Sequence, residues 1–144
     1  MFEAEKDKYL MKHGFGATRL KAVLFDMDGV LFDSMPNHAY SWSHAMTQFG
    51  LHITPEEAYM HEGRTGGGTI DLLAQRDWGR RATEEEKQTI YKAKSDVFSR
   101  CPEAPRMPGA YELLKKVKAD GFTPMVVTGS GQVSLIDRLN HNFP

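Results

Sequence analysis

The chain has 144 residues, 40% of them hydrophobic and 26% charged, with a formal net charge of -1. This is the composition of about one globular domain, or of a small core with an insert. The near-neutral balance gives no global basic field to draw in nucleic acid or a membrane surface. A single cysteine, Cys101, excludes an intrachain disulfide and a cysteine-based zinc cluster, and it fits a reducing compartment. The start, Met1 to His13, is charged throughout and lacks the apolar centre of a signal peptide. No stretch approaches the ~18 consecutive apolar residues of a spanning helix. A cytoplasmic protein is expected.

In chain order, Glu3 to Lys12 predicts a short charged helix broken at Gly14-Phe15-Gly16, so residues 1–19 read as an N-terminal extension. The apolar run Ala22-Val23-Leu24-Phe25 predicts a buried strand that leads directly into Asp26-Met27-Asp28-Gly29-Val30-Leu31. Residues i and i+2 of a strand point the same way, so Asp26 and Asp28 are expected side by side. His38, Trp42, Ala45, Met46 and Phe49 recur at helical spacing, with Gly50 as a stop. Thr54-Pro55-Glu56-Glu57 predicts a helix start with a capping box closed by Glu57. A further helix is expected from Thr69 through Leu73. Thr83-Glu84-Glu85-Glu86 repeats the capping box, ahead of a stripe of Ile90, Ala93, Val97 and Phe98. Tyr111, Leu114 and Val117 share a helix face that ends at Gly121. Pro124 is tolerated only at the beginning or edge of a strand, whose body is Met125-Val126-Val127. Gln132 to Asn140 reads as a last helix.

The order strand, helical insert, helix, strand, turn, helix predicts an α/β core with helices inserted beside the two acids. Such sheets bind ligands at the carboxyl ends of their strands. Asp26 is the candidate nucleophile, because a carboxylate that attacks phosphorus divides one hard displacement into two easier ones. Asp28 is the candidate acid and base. Two acids near a phosphate require a hard cation, and magnesium fits oxygen ligands while it keeps several waters. The other reading of Asp26 and Asp28 is a pair of turn or helix-cap acids. Thr128-Gly129-Ser130-Gly131, between a strand and a helix, is either a phosphate cradle of hydroxyls and backbone N–H groups or a simple β-to-α turn. Gly129, Gly131 and Ser134 miss the third glycine of the dinucleotide fingerprint, and Thr65-Gly66-Gly67-Gly68 lacks the lysine ending of a P-loop. His13, His44, His52 and His141 form no metal-ligand pattern.

Asp26-x-Asp28-Gly29-x-Leu31 after a strand, a helical insert, and then Val126-Val127-Thr128-Gly129-Ser130 resembles the haloacid dehalogenase superfamily over roughly residues 20–144. The likeness is to its β-phosphoglucomutase-like branch of phosphatases and mutases. It implies a Rossmann-like core over 20–33 and 105–144, incomplete here, and a helical-bundle cap over 34–104. It also implies an aspartyl-phosphate on Asp26, acid–base work by Asp28, and Thr128 and Ser130 on the phosphate. Magnesium would bind the Asp26 carboxylate and the Asp28 backbone carbonyl. The family's phosphate-balancing lysine and its last metal-binding acids are expected beyond Pro144, so the chain reads as the N-terminal portion of a longer enzyme.

The resemblance puts the substrate-specificity loop at His61-Glu62-Gly63-Arg64-Thr65-Gly66. Arg64 could clamp a second anionic group. Glu62 stands where the mutase has a lysine, and suits a phosphatase or a compact substrate such as pyrophosphate. His38 matches a cap-hinge histidine that assists Asp28, while Trp42 and Phe49 read as cap core. The expectation is therefore a monomeric magnesium phosphohydrolase acting on pyrophosphate or a sugar phosphate, with no nucleic-acid or membrane partner. A β-phosphoglucomutase is the alternative, and a non-catalytic binding module the alternative of another class.

Overall fold

A computed structural model describes residues 3–17, 19–129 and 134–143. Its elements are α1 (Glu3–His13), β1 (Ala22–Phe25), α2 (Met35–Met46) with a 3-10 turn at Thr47–Phe49, α3 (Pro55–Met60), α4 (Gly66–Asp77), α5 (Glu84–Phe98), α6 (Ala110–Ala119), β2 (Thr123–Val126) and α7 (Ser134–Asn142). Strand β1 pairs in parallel with β2, from Ala22 opposite Thr123 to Phe25 opposite Val126. Among the described residues, no helix is long and apolar enough to cross a membrane.

Two hydrophobic clusters form among the described residues. One gathers Met46, Leu51, Ile53, Ile70, Leu73, Ala74 and Ile90 from α2 to α5. The other gathers Phe25, Met27, Leu31, Phe32, Ala110 and Val117 around the sheet. The two chain crossings between them run side by side: Asp33 N–H donates to Pro105 O at 2.9 Å, and Met107 N–H to Leu31 O at 2.9 Å. Helix α7 braces this crossing, with the Arg138 guanidinium 4.9 Å from the Phe32 ring centre and 3.5 Å from Glu103.

Local chemistry explains the element ends. Gly50 closes the 3-10 turn in the left-handed region, as its position suggested. The capping box at Thr83 is complete: Thr83 Oγ1 accepts from Glu86 N–H and Glu86 Oε2 accepts from Thr83 N–H at 2.7 Å. The one expected at Thr54 is only half formed. Thr54 Oγ1 accepts from Glu57 N–H at 3.1 Å, but the Glu57 carboxylate turns away to take Arg76 Nη1 at 2.6 Å, because a charge-assisted bond outcompetes a neutral one. Helix α4 begins at Gly66 rather than Thr69, capped by Thr65. Strand β2 begins at Thr123, so Pro124 lies inside it and Val127 beyond it. Thr123 and Val127 donate to Lys21 O and Phe25 O. Alternation then turns the Pro124 nitrogen away from β1, so the β1–β2 ladder asks no donor of it.

Candidate active site

Met27 is completely buried between its two acidic neighbours and fastens the segment after β1 into the core. The acids therefore project from a turn just past the strand, not from the strand itself. Gly29 makes that turn possible at φ 73°, with its N–H donating to Phe32 O at 2.8 Å. A cavity of about 470 Å³ opens above them. Asp26, Asp28, His38, Glu62, Arg64, Thr128 and Gly129 all line it, so residues up to 103 positions apart in the sequence are brought together. Ser130, proposed for the phosphate cradle, lies outside the described residues.

The Asp28 carboxylate is well furnished. Its Oδ1 accepts from Ser34 Oγ at 2.6 Å, and His38 Nε2 lies 3.2 Å away, within ion-pair reach though off line for a well-formed hydrogen bond. Burial pushes this carboxyl up, but contacts with His38 and Ser34, and the charge of Lys94, outweigh burial and hold it below its ordinary value. Asp26 is exposed, and its Oδ1 accepts from Met27 N–H at 2.7 Å.

Behind His38 stands Lys94 of α5, only 2% exposed. Its Nζ is 2.9 Å from His38 Nδ1 and 4.7 Å from the Phe98 ring centre. Burial pushes its ammonium down to about 8, partly countered by the charges of Asp28 and Glu62. Protonated Lys94 donates to Nδ1, which leaves the ring proton on Nε2, the nitrogen 3.2 Å from Asp28 Oδ1. The sequence reading passed over Lys94. It occupies the α5 stripe between Ala93 and Val97, and a lysine on an apolar stripe was the available signal. His61, the first residue of the expected specificity loop, and Tyr91, unassigned from sequence, line the same cavity. Trp42 packs against the α2–α5 cluster as expected and reaches the cavity as well. Glu62 and Arg64 form no salt bridge among the described residues.

The donors offered to a cation are hard oxygens. Asp26 Oδ2 takes no hydrogen bond among the described residues, and Asp28, two positions on, lines the same cavity and adds a backbone carbonyl to the donors the resemblance implies. No group of three or more metal-ligating side chains occurs among those residues. Two protein oxygens fit magnesium, which fills its remaining positions with waters and phosphate oxygens.

Comparison with known proteins agrees with this layout. A family model for haloacid dehalogenase-like hydrolases matches residues 20–143. A phosphoglycolate phosphatase of Haemophilus influenzae is 30% identical over 119 residues, 77% of this chain and 52% of its own. A Bacteroides vulgatus structure, provisionally described as a β-phosphoglucomutase, is 59% identical with a TM-score of 0.90, covering 99% of this chain and 58% of that one. A β-phosphoglucomutase structure from Clostridium difficile shares the fold, with a TM-score of 0.67 at 22% identity over 85% of this chain and 56% of that one. The chain thus spans about half the length of the curated relatives it matches. With its paired acids, its inserted helices and a family match that runs from the first strand into the last helix, the chain belongs to the haloacid dehalogenase-like hydrolases.

Proposed function

We propose that the protein is a magnesium-dependent phosphohydrolase that acts through an aspartyl-phosphate on a small phosphorylated substrate. The observation that carries the reading is one cavity lined by Asp26, Asp28, Glu62 and Arg64 together. An exposed Asp26 oxygen attacks phosphorus, and the P–O bond to the leaving group breaks as its oxygen takes a proton from Asp28. Asp28, now a carboxylate, takes a proton from water, which attacks the phosphorus and frees Asp26 and phosphate. A carboxyl held below its ordinary value is a ready base for the second half. For the first half its proton must come with the substrate's negative charge, which raises a nearby carboxyl. His38, its Nε2 proton fixed by Lys94, steadies Asp28 in both forms. Magnesium on Asp26 and the Asp28 carbonyl would offset the negative charge gathered there.

Residues 34–104 act as the cap that excludes water and selects substrate, with 20–33 and 105–144 as the core. Thr128, Gly129 and Ser130 hold the transferred phosphoryl group, and Arg64 takes a second anionic group. Glu62 favours pyrophosphate over sugar phosphates, since a compact substrate lets the cap bring this acid near the metal. The working protein is a cytoplasmic monomer.

The second reading is β-phosphoglucomutase, favoured by the description of the Bacteroides vulgatus relative. A panel of pyrophosphate and sugar phosphates, with and without glucose 1,6-bisphosphate and magnesium, separates the two in the full gene product. Phosphate release without the bisphosphate supports the hydrolase. Isomerisation that depends on the bisphosphate, without phosphate release, refutes it.

A further inference from the structure

Helix α4 opens on Gly66-Gly67-Gly68, three residues that alanine outranks in helix propensity. None of the three has a positive φ, so backbone freedom does not account for them. Gly66 is explained by space. A Cβ on it would meet Tyr91 Cε2 at 2.3 Å and Cδ2 at 2.4 Å, far inside contact distance. Gly67 has no such constraint, its nearest neighbour being Lys87 Cδ at 3.7 Å.

The Tyr91 ring cannot easily yield. It is half-buried, 6.4 Å between centroids from Trp42, with Lys94 Nζ 5.9 Å from its centre. Both Tyr91 and Gly66 line the cavity that holds Asp26, Asp28 and Glu62. The start of α4 and the middle of α5 thus close together through one aromatic edge.

We propose that Tyr91 is a specificity-determining residue, seated against Gly66 so that its ring limits the room left for the group a substrate carries beyond its transferred phosphoryl. This rests on the phosphohydrolase reading and deepens it: the site takes a compact leaving group, such as a second phosphate, in preference to a hexose. The Tyr91 hydroxyl stays protonated, because burial and then the Asp28 charge raise it, so the wall it presents is neutral. No bond to the hydroxyl is needed for this role.

The test measures kcat/KM for pyrophosphate and for glucose 6-phosphate in the full gene product, together with thermal melting. Tyr91→Ala shifts the ratio toward the hexose phosphate by ~10-fold or more, as expected when a wall is removed, while Tyr91→Phe holds it within about threefold. A ratio unmoved by Tyr91→Ala, or moved as far by Tyr91→Phe, overturns the assignment. In melting, Gly66→Ala lowers the midpoint where Gly67→Ala does not, and adding Tyr91→Ala to Gly66→Ala cancels most of that loss. Equal midpoints for the two glycine variants overturn the interlock. A parent protein that turns over neither compound refutes the phosphohydrolase reading and the specificity role with it. Melting requires no turnover, so it tells that failure apart from failure of the interlock.

Discussion

Replacing Lys94 with methionine keeps the length and apolar stem of the side chain while removing its charge. In the folded protein the ammonium is 2% exposed and pushed down to about 8 from an ordinary 10.5. A difference of that size corresponds to roughly 3 kcal/mol of folding energy withheld while the group is charged, at about 1.4 kcal/mol per pH unit. The methionine variant recovers that amount, less about 1 kcal/mol for the lost contact with His38 Nδ1. Lys94→Met is therefore expected to be more stable by roughly 2 kcal/mol at pH 7, and less active. The pH dependence follows from the sign of the shift. Between about 8 and 10.5 the unfolded chain holds a proton that the folded chain has lost, so the stability of the parent rises with pH through that window. Urea unfolding at pH 7 and pH 10 reads both effects. The advantage of Lys94→Met should shrink at the higher pH. A variant less stable than the parent at pH 7, or an advantage of equal size at both values, refutes a costly buried ammonium held for function.

Glu62→Ala is expected to cut pyrophosphate turnover far more than sugar-phosphate turnover; steady-state assays with equal losses would sink the pyrophosphate assignment. Thr83→Ala removes the α5 cap and should cost about 1 kcal/mol in urea unfolding, whereas Thr54→Ala should cost less, since its box is half formed. Asp28, held below its ordinary carboxyl value, contributes stability that is present above that value and lost as pH falls through the folded one. Asp28→Asn should therefore flatten the acid limb of the stability profile, and an unchanged acid limb would show that its contacts contribute nothing.

Local signals in the sequence were followed closely by the fold. Ala22–Phe25 is the strand its apolar run suggests, and Gly50 and Thr83 act as the stop and cap that their chemistry implies. Departures arose where a distant residue decided the outcome. Glu57 left its capping box for Arg76, nineteen positions away, and Pro124 fitted within β2 because its nitrogen faces away from β1. Helix α4 starts at Gly66, capped by Thr65, and at Gly66 the Tyr91 ring occupies the space that a side chain would take. The paired acids and Thr128 were visible as motifs. Lys94 was not: its place on the apolar stripe between Ala93 and Val97 hints at burial, but its partner, His38 at 2.9 Å, lies 56 positions away on another helix.

The central claim is that Asp26 becomes phosphorylated. Full gene product incubated with pyrophosphate and magnesium, quenched in acid and reduced with borohydride, should yield a peptide in which Asp26 alone is converted to homoserine, and Asp26→Asn should yield none. Phosphate release that proceeds with Asp26 unreduced, or that survives Asp26→Asn, would contradict the account.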